Sequence, residues 1–330
     1  MPFLDSGISM MKIKPLIGAL AFGAMLAAGQ AQALTVYTAG PAGLIKQLAD
    51  DFKKQTGVSV DVFQADTGKV MARLEAEASN PKADVVISAS WDSALDLHKR
   101  GWLLAYASPN AAKVPAEYKG PSYVAQGLSA LAIAWNTKSG TPRPTDWADL
   151  AKPEFKGLVN MPDPAQSGTA LELLSGLQSA RGADAWRLFA DLKRNDMAIA
   201  GANAQAMNPV LQGAKAAVFG AVDYVALGNQ AKGESIEVIF PASGTVIAGR
   251  PMMILKSSRQ QQDAKRFIDF VLSDAGQARV AATYLIPARQ DVQAKRPVIK
   301  DIKSLPVENE AQRAGRQALL ERFTTLFGRK

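Results

Sequence analysis

Apolar and polar positions along this chain follow two alternating periods. Ala42 to Gln55 places Leu44, Ile45, Leu48, Ala49 and Phe52 on one face at helical spacing, and Gly57 lies just beyond as a C-terminal cap. Leu34 to Tyr37 before it reads as a short strand, and Val58 to Phe63 after it alternates as another. Asp66 or Thr67 caps a helix through Ala78, with Val70, Leu74 and Ala78 on one stripe. Asp84 to Ile87 has the pattern of a buried strand, and Trp91 to Arg100 that of a helix closed by Gly101. The order βαβαβα predicts a largely parallel sheet with helices on both faces.

The middle of the chain changes character. Ser129 to Asn136 is an apolar strand followed at once by Lys138, Ser139, Gly140, Thr141, Pro142 and Pro144, which reads as a crossing into a second lobe. Beyond it come a strand at Leu158 to Asn160, a helix opened by Ser167-Gly168-Thr169, a helix from Ala183, and a strand at Met197 to Ala200. Asn203 caps a further helix, Ala216 to Gly220 is a strand, Val222 to Ala231 a helix, and Ile236 to Phe240 a strand. Thr245 to Leu255, interrupted by Gly249 and Pro251, is the expected return crossing, after which Ala264, Phe267, Ile268 and Val271 mark a helix. Two crossings predict a discontinuous first lobe, 34–134 with 250–330, and a second lobe, 135–249. A ligand cleft between them follows, since domain interfaces favour pockets. The polar tail from Asp291 ends in an amphipathic helix carrying Leu319, Leu320, Phe323, Leu326 and Phe327, expected to pack on the body.

The N-terminus adds an address. Lys12 and Lys14 precede an apolar run from Pro15 to Ala28, and Ala31-Gln32-Ala33 fits a small-residue cleavage pattern. Residues 1–33 are therefore expected to be a signal peptide, with the true start at Met10 or Met11 and a mature chain beginning at Leu34. No other stretch is long and apolar enough to cross a bilayer. The 330 residues contain no cysteine, which excludes disulfides and thiolate chemistry, and the formal charge of +8 is spread without a Lys/Arg block or nucleic-acid signature.

Candidate chemistry lies at the turns where strands run into helices, the usual ligand position of an open α/β sheet. Thr38-Ala39-Gly40, Asp66-Thr67-Gly68-Lys69, Ser88-Ala89-Ser90-Trp91 and Ser167-Gly168-Thr169 each set hydroxyls and backbone N–H groups at a helix start, an arrangement that attracts phosphate, phosphonate or carboxylate. Asp223-Tyr224 follows another strand and offers an acid and a phenol to a cationic or hydroxyl group, or to a hard metal ion. His98 is the only histidine and sits at a helix end, so a histidine triad or a two-histidine metal site is excluded. There is no nucleophile elbow, Walker loop or dinucleotide fingerprint.

Leu34-Thr35-Val36-Tyr37-Thr38, Asp84-Val85-Val86-Ile87-Ser88, Ala134-Trp135-Asn136-Thr137, Ser167-Gly168-Thr169 and Ala221-Val222-Asp223-Tyr224 together resemble one family. It is the periplasmic binding proteins of ABC importers that includes ferric-ion, thiamine, sugar-phosphate and 2-aminoethylphosphonate binders, and the likeness runs from Leu34 to Arg289. The resemblance implies an α/β, type II periplasmic-binding-protein fold: two lobes with mixed, mostly parallel sheets joined by a two-strand hinge. In ferric-binding members two adjacent tyrosines hold the metal and a Ser-Gly turn holds an accompanying anion. Here Asp223-Tyr224 stands at the tyrosine pair, while Ser167-Gly168-Thr169 matches the anion turn.

The expected ligand is accordingly a small anionic solute, an organic phosphate or phosphonate such as 2-aminoethylphosphonate. Ser167, Gly168 and Thr169 would hold its anionic end with help from Thr67 or Ser90, and Asp223 and Tyr224 would fix the other end. Thr38, Ala39, Gly40, Gly68, Ser88 and Asn203 complete the candidate lining, with Trp91 as an apolar wall. The expected setting is a periplasmic monomer that hands its solute to a membrane permease, with no cofactor, no nucleic acid and no catalysis. The alternatives are a ferric-ion binder using Tyr224 and Asp223 with an external anion, a secreted enzyme on the same fold, and an interaction protein with a vestigial cleft.

Overall fold

The computed structural model describes residues 1–3, 33–306, 313 and 315–328, and the elements below all belong to one unit, Gln32–Lys330. Of the expected leader, residues 1–33, only residues 1–3 and Ala33 are among the described residues. Among the described residues, no helix is long and apolar enough to cross a membrane.

The first part of the chain follows the predicted alternation: β1 (Leu34–Thr38), α1 (Ala42–Thr56), β2 (Val60–Gln64), α2 (Thr67–Ala76), β3 (Val85–Ile87) and α3 (Trp91–Lys99). The apolar stripe of α1 does what its spacing implies, since Leu44, Ile45, Leu48 and Phe52 are all buried. Two-residue β4 (Lys119–Gly120) then leads into β5 (Tyr123–Asn136). The second part runs through β6 (Val159–Pro162), α4 (Gly168–Arg181), α5 (Ala183–Arg194), β7 (Ala198–Ala200), α6 (Asn203–Leu211), β8 (Ala217–Val222), α7 (Asp223–Ala231) and β9 (Ile236–Ile239). The chain returns along β10 (Ile247–Ile254) and continues with α8 (Gln261–Val271), α9 (Asp274–Ala282), β11 (Ile286–Pro287) and α10 (Arg316–Leu326).

The sheet is mixed. Its main order is β2-β1-β3-β10-β5-β8-β6-β7, with parallel pairing at both ends (β1 with β2 and β3, β6 with β7 and β8) and antiparallel pairing around β5 and β10. β5 changes partners midway: Tyr123 to Ala130 face β10, whereas Leu131 to Asn136 face β8 and β9. Pairing therefore moves to the second half after Ala130 rather than at the expected boundary after residue 134, because the apolar strand begins at Tyr123 instead of Ser129.

Two main cores follow this division. One gathers Leu48, Phe52, Ile87, Leu128 and Phe267, and the other gathers Trp147, Leu173, Phe189, Phe219 and Phe323. The membership of Phe323 corrects the expected lobe assignment of the tail. Helix α10 packs on the second half, with Phe323 edge-on to Phe189 at 5.5 Å between ring centres. An amphipathic stripe signals that a helix packs; it carries no information on which body receives it.

A β-bulge marks the centre of the β5–β10 pair. Ala125 faces Pro251 and Leu128 faces Gly249, so Gln126 and Gly127 together stand opposite the single residue Arg250. Glycine is required at 127, because a Cβ there would lie 2.8 Å from Val280 Cγ1 and 3.1 Å from the Ile286 carbonyl oxygen.

Candidate functional site

The two halves touch at helix starts. Ser167 caps α4, its hydroxyl accepting from the Ala170 N–H at 3.2 Å. The same hydroxyl donates to Asn203 Oδ1 at 2.9 Å and lies 3.1 Å from Thr169 Oγ1, so Ser167, Thr169 and Asn203 form one small network. Gly168 lies against the first half: a Cβ built on it would be 2.7 Å from Ser90 Cβ. Its backbone lies outside the left-handed region, so the demand for glycine comes from close approach alone.

Across this contact, the turn before α3 is tied internally. Ser88 Oγ lies 2.9 Å from Ser93 Oγ and accepts from the Ser90 N–H at 3.1 Å. The Trp91 N–H, which has no intrahelical acceptor, donates to Glu172 Oε1 of α4 at 2.8 Å. Glu172 is a residue that sequence reasoning missed. Its helix spacing reads as core, and burial drives its carboxyl up to about 7, opposed by the Arg316 guanidinium and reinforced by Asp92. Asp92 is itself held by Arg316 and Arg313, at 3.2 Å from the latter. The tail thus reaches back across to α3.

The first turn contributes backbone. Thr38 is buried and its Oγ1 accepts from the Gly40 N–H at 2.9 Å. The Ala39 N–H donates to the Ile87 carbonyl, and the Ala39 carbonyl accepts from Arg250 Nη2 at 2.7 Å. Thr67 and Gly68 stand apart, at the start of α2 beyond the edge strand β2, where Asp66 caps the helix through the Lys69 N–H and pairs with the Lys69 ammonium.

Two expected ligand residues have other work. Trp91 packs mainly as a core side chain, 8 % exposed and edge-on to Tyr118 and Tyr123, and it also lines a small cavity with Glu172 and Val246. Asp223 is wholly buried. Its Oδ2 accepts from the Ala130 N–H at 2.9 Å and from Arg296 Nη2 at 2.5 Å, and its Oδ1 accepts from the Tyr224 N–H at 2.7 Å. Burial pushes this carboxyl upward while Arg296 and the two N–H donors pull it back. With its oxygens so engaged, Asp223 pins β5 to the start of α7 and to the tail, and does not present itself to a ligand amine or a metal. Tyr224 alone of that pair is partly open. Among the described residues, no group of three or more His, Cys, Asp or Glu side chains is placed to hold a metal ion.

Arg250, from the bulge on β10, was also missed. It is 1 % exposed, its Nε has no hydrogen-bond partner among the described residues, and its guanidinium carbon lies 5.7 Å from the centre of the Tyr224 ring. Gln126 Oε1 and Ser129 Oγ on β5 are likewise buried and without partners among the described residues. Gln126 Oε1 is 4.0 Å from where a Cβ of Gly40 would stand. Arg250 and Gln126 therefore converge on the Thr38–Gly40 turn. No motif announces them; the interruption of an apolar strand by Gln126-Gly127, and of its partner by Gly249-Arg250-Pro251, is the available signal.

A family model for bacterial extracellular solute-binding protein matches residues 80–312. The chain belongs to that family. A relative named putative 2-aminoethylphosphonate-binding periplasmic protein, from Salmonella paratyphi A, is 25 % identical over 252 residues, covering 74 % of this chain and 73 % of its own. Among solved structures, the periplasmic binding protein AfuA from Actinobacillus pleuropneumoniae, with exogenous fructose-6-phosphate bound, superposes with a TM-score of 0.80 at 24 % identity, covering 90 % of this chain and 98 % of its own. Iron-bound HitA from Pseudomonas aeruginosa superposes with a TM-score of 0.76 at 21 % identity, covering 88 % and 99 %. At these identities the two structures establish the fold, a periplasmic-binding-protein α/β architecture.

Proposed function

We propose that this chain is the extracytoplasmic receptor of an ABC importer and captures a small organic phosphate or phosphonate between its two halves without transforming it. The observation that carries the reading is the meeting of helix starts. The turn at Ser167-Gly168-Thr169 lies against the turn at Ser88-Ala89-Ser90, and the first turn of α4 presents backbone N–H groups that lack intrahelical acceptors. Hydroxyls and dipole ends of one sign, gathered from both halves, suit an anion held as the halves close. The relative named for 2-aminoethylphosphonate and the neighbour carrying fructose-6-phosphate support the same ligand class. The crossing strands β5 and β10 then serve as the hinge between lobes. A cleavable leader ending at Ala33 places the receptor in the periplasm, which N-terminal sequencing of exported protein at Leu34 checks.

The iron alternative loses support, because Asp223 is committed to Arg296. The test is calorimetric titration of the mature protein with phosphonates, sugar phosphates, inorganic phosphate, thiamine and ferric citrate. An anionic organophosphorus compound is expected to bind best, and Gly168→Val to abolish that binding in a folded protein by holding Ser90 away. A best ligand without any anionic group, or unchanged binding by folded Gly168→Val, defeats the reading.

A further inference from the structure

The helix-start turns hold many of their own hydrogen bonds, and the unmet demand lies elsewhere, at the bulge. A buried guanidinium is strongly disfavoured unless it is paired and hydrogen-bonded. Among the described residues, Arg250 forms no ion pair. Its recorded hydrogen bond is the one from Nη2 to the Ala39 carbonyl, and its Nε points at no acceptor. The bulge explains how it comes to be there. By setting two residues against one, it re-aims the side chain of Arg250 towards the carboxyl end of β1 and brings Gln126 to the same slot of the pair. Beside them, Ser129 stands opposite Ala248 with its hydroxyl also unpartnered. Buried polar atoms are almost always satisfied, so three orphans on adjoining strands, next to a helix-start turn, point to a ligand as the missing partner. The chemistry they request is specific. A guanidinium fork seeks a multi-oxygen anion and binds phosphate or phosphonate through two parallel N–H donors. An amide oxygen seeks an N–H or O–H donor.

We propose that Arg250 is the principal anion receptor of this protein, and that Gln126 accepts a hydrogen bond from an amine or hydroxyl carried by the same solute. The inference rests on the anionic-solute reading above and moves the anionic head from the Ser167-Gly168-Thr169 turn to the Thr38–Gly40 turn. The solute class it defines is a small phosphonate or phosphate ester with a hydrogen-bond donor a few bonds from phosphorus.

The experiment uses the mature protein and its Arg250→Met, Arg250→Lys and Gln126→Met variants, each shown to be folded by circular dichroism and a cooperative melt. They are titrated with methylphosphonate, 2-aminoethylphosphonate, glycerol 3-phosphate and ethanolamine. Wild type is expected to bind 2-aminoethylphosphonate or glycerol 3-phosphate more tightly than methylphosphonate, and ethanolamine hardly at all. Arg250→Met should weaken every anionic probe by about 100-fold or more, the loss of two charge-assisted hydrogen bonds. Arg250→Lys, which keeps the charge but not the fork, should lose about 10-fold, and it decides the matter if Arg250→Met does not fold. Gln126→Met should reduce the donor-bearing probes to the level of methylphosphonate and leave methylphosphonate itself unchanged. Wild-type affinity in the folded Arg250 variants overturns this inference while leaving the anionic receptor intact. If the wild type binds none of the anionic probes, both readings fall. Equal weakening of methylphosphonate and the donor-bearing probes by Gln126→Met overturns the acceptor role.

Discussion

Of the three arginines buried among the described residues, Arg296 and Arg250 differ most in what surrounds them. Arg296 donates from Nε to the Pro297 carbonyl, from Nη1 to the Tyr284 carbonyl and from Nη2 to the Asp223 carboxylate. Its demands are met from within the fold. Arg250 has the Ala39 carbonyl, the face of Tyr224 and an idle Nε. The first arrangement ties loop to sheet and is finished when the chain folds. The second is unfinished, as a receptor's site must be before its ligand arrives. Asp223 shows why position beyond a strand end is a weak guide to function: an acid there can belong to the scaffold.

The contrast breaks most easily at Asp223. Asp223→Ala leaves the Arg296 guanidinium and the Ala130 and Tyr224 N–H groups without an acceptor, and should cost about 3–5 kcal/mol in urea unfolding. Arg250→Met in the ligand-free protein should change stability by roughly 1 kcal/mol or less, or raise it, since an apolar replacement removes an unmet charge. Equal losses in the two variants would show that Arg250 is scaffold too.

Glu172 sharpens the comparison as a buried charge of intermediate standing. Its folded value, about 7, lies above the ordinary 4.5, so the folded state holds its proton more tightly than the unfolded state does. The corresponding stability is fully present below about pH 4.5 and is lost as pH rises through 7, on the order of 3 kcal/mol in all. Urea midpoints from pH 4.5 to 8 should therefore fall in wild type and fall less in Glu172→Gln; parallel curves would remove Glu172 from the account. A small effect also belongs to a neutral, satisfied group. Ser167→Ala should cost about 1 kcal/mol as a lost N-cap, seen as a small drop in thermal midpoint. A larger loss of phosphonate affinity than of stability would return the anionic head to that turn.

The strand–helix order and the helix start at Ser167 were legible in the sequence, because periodicity and capping are local. What stayed hidden depends on partners far along the chain. Asp223 meets Arg296, which sits in a polar tail without periodic pattern, and Trp91 meets Tyr118 and Tyr123 from a separate segment. Gln126 and Gly127 interrupt the apolar run of β5, so the strand seemed to start at Ser129. The very irregularity that concealed the first half of β5 is the one that aims Arg250.

The return of the chain along β10 also governs when this protein can fold. Met252 pairs with Ile87 and Ile286 with Leu128, separations of 165 residues (252 − 87) and 158 residues (286 − 128). The sheet of the first half has a gap beside β3 until residues near 250 are available to fill it. Contacts this distant in sequence slow folding, because loop-closure entropy is lost before the pairing rewards it. Chain connectivity therefore works as a timer: the first half cannot complete its sheet until the return strand is available, whereas the strands of the second half, β5 to β9, pair within residues 131–239.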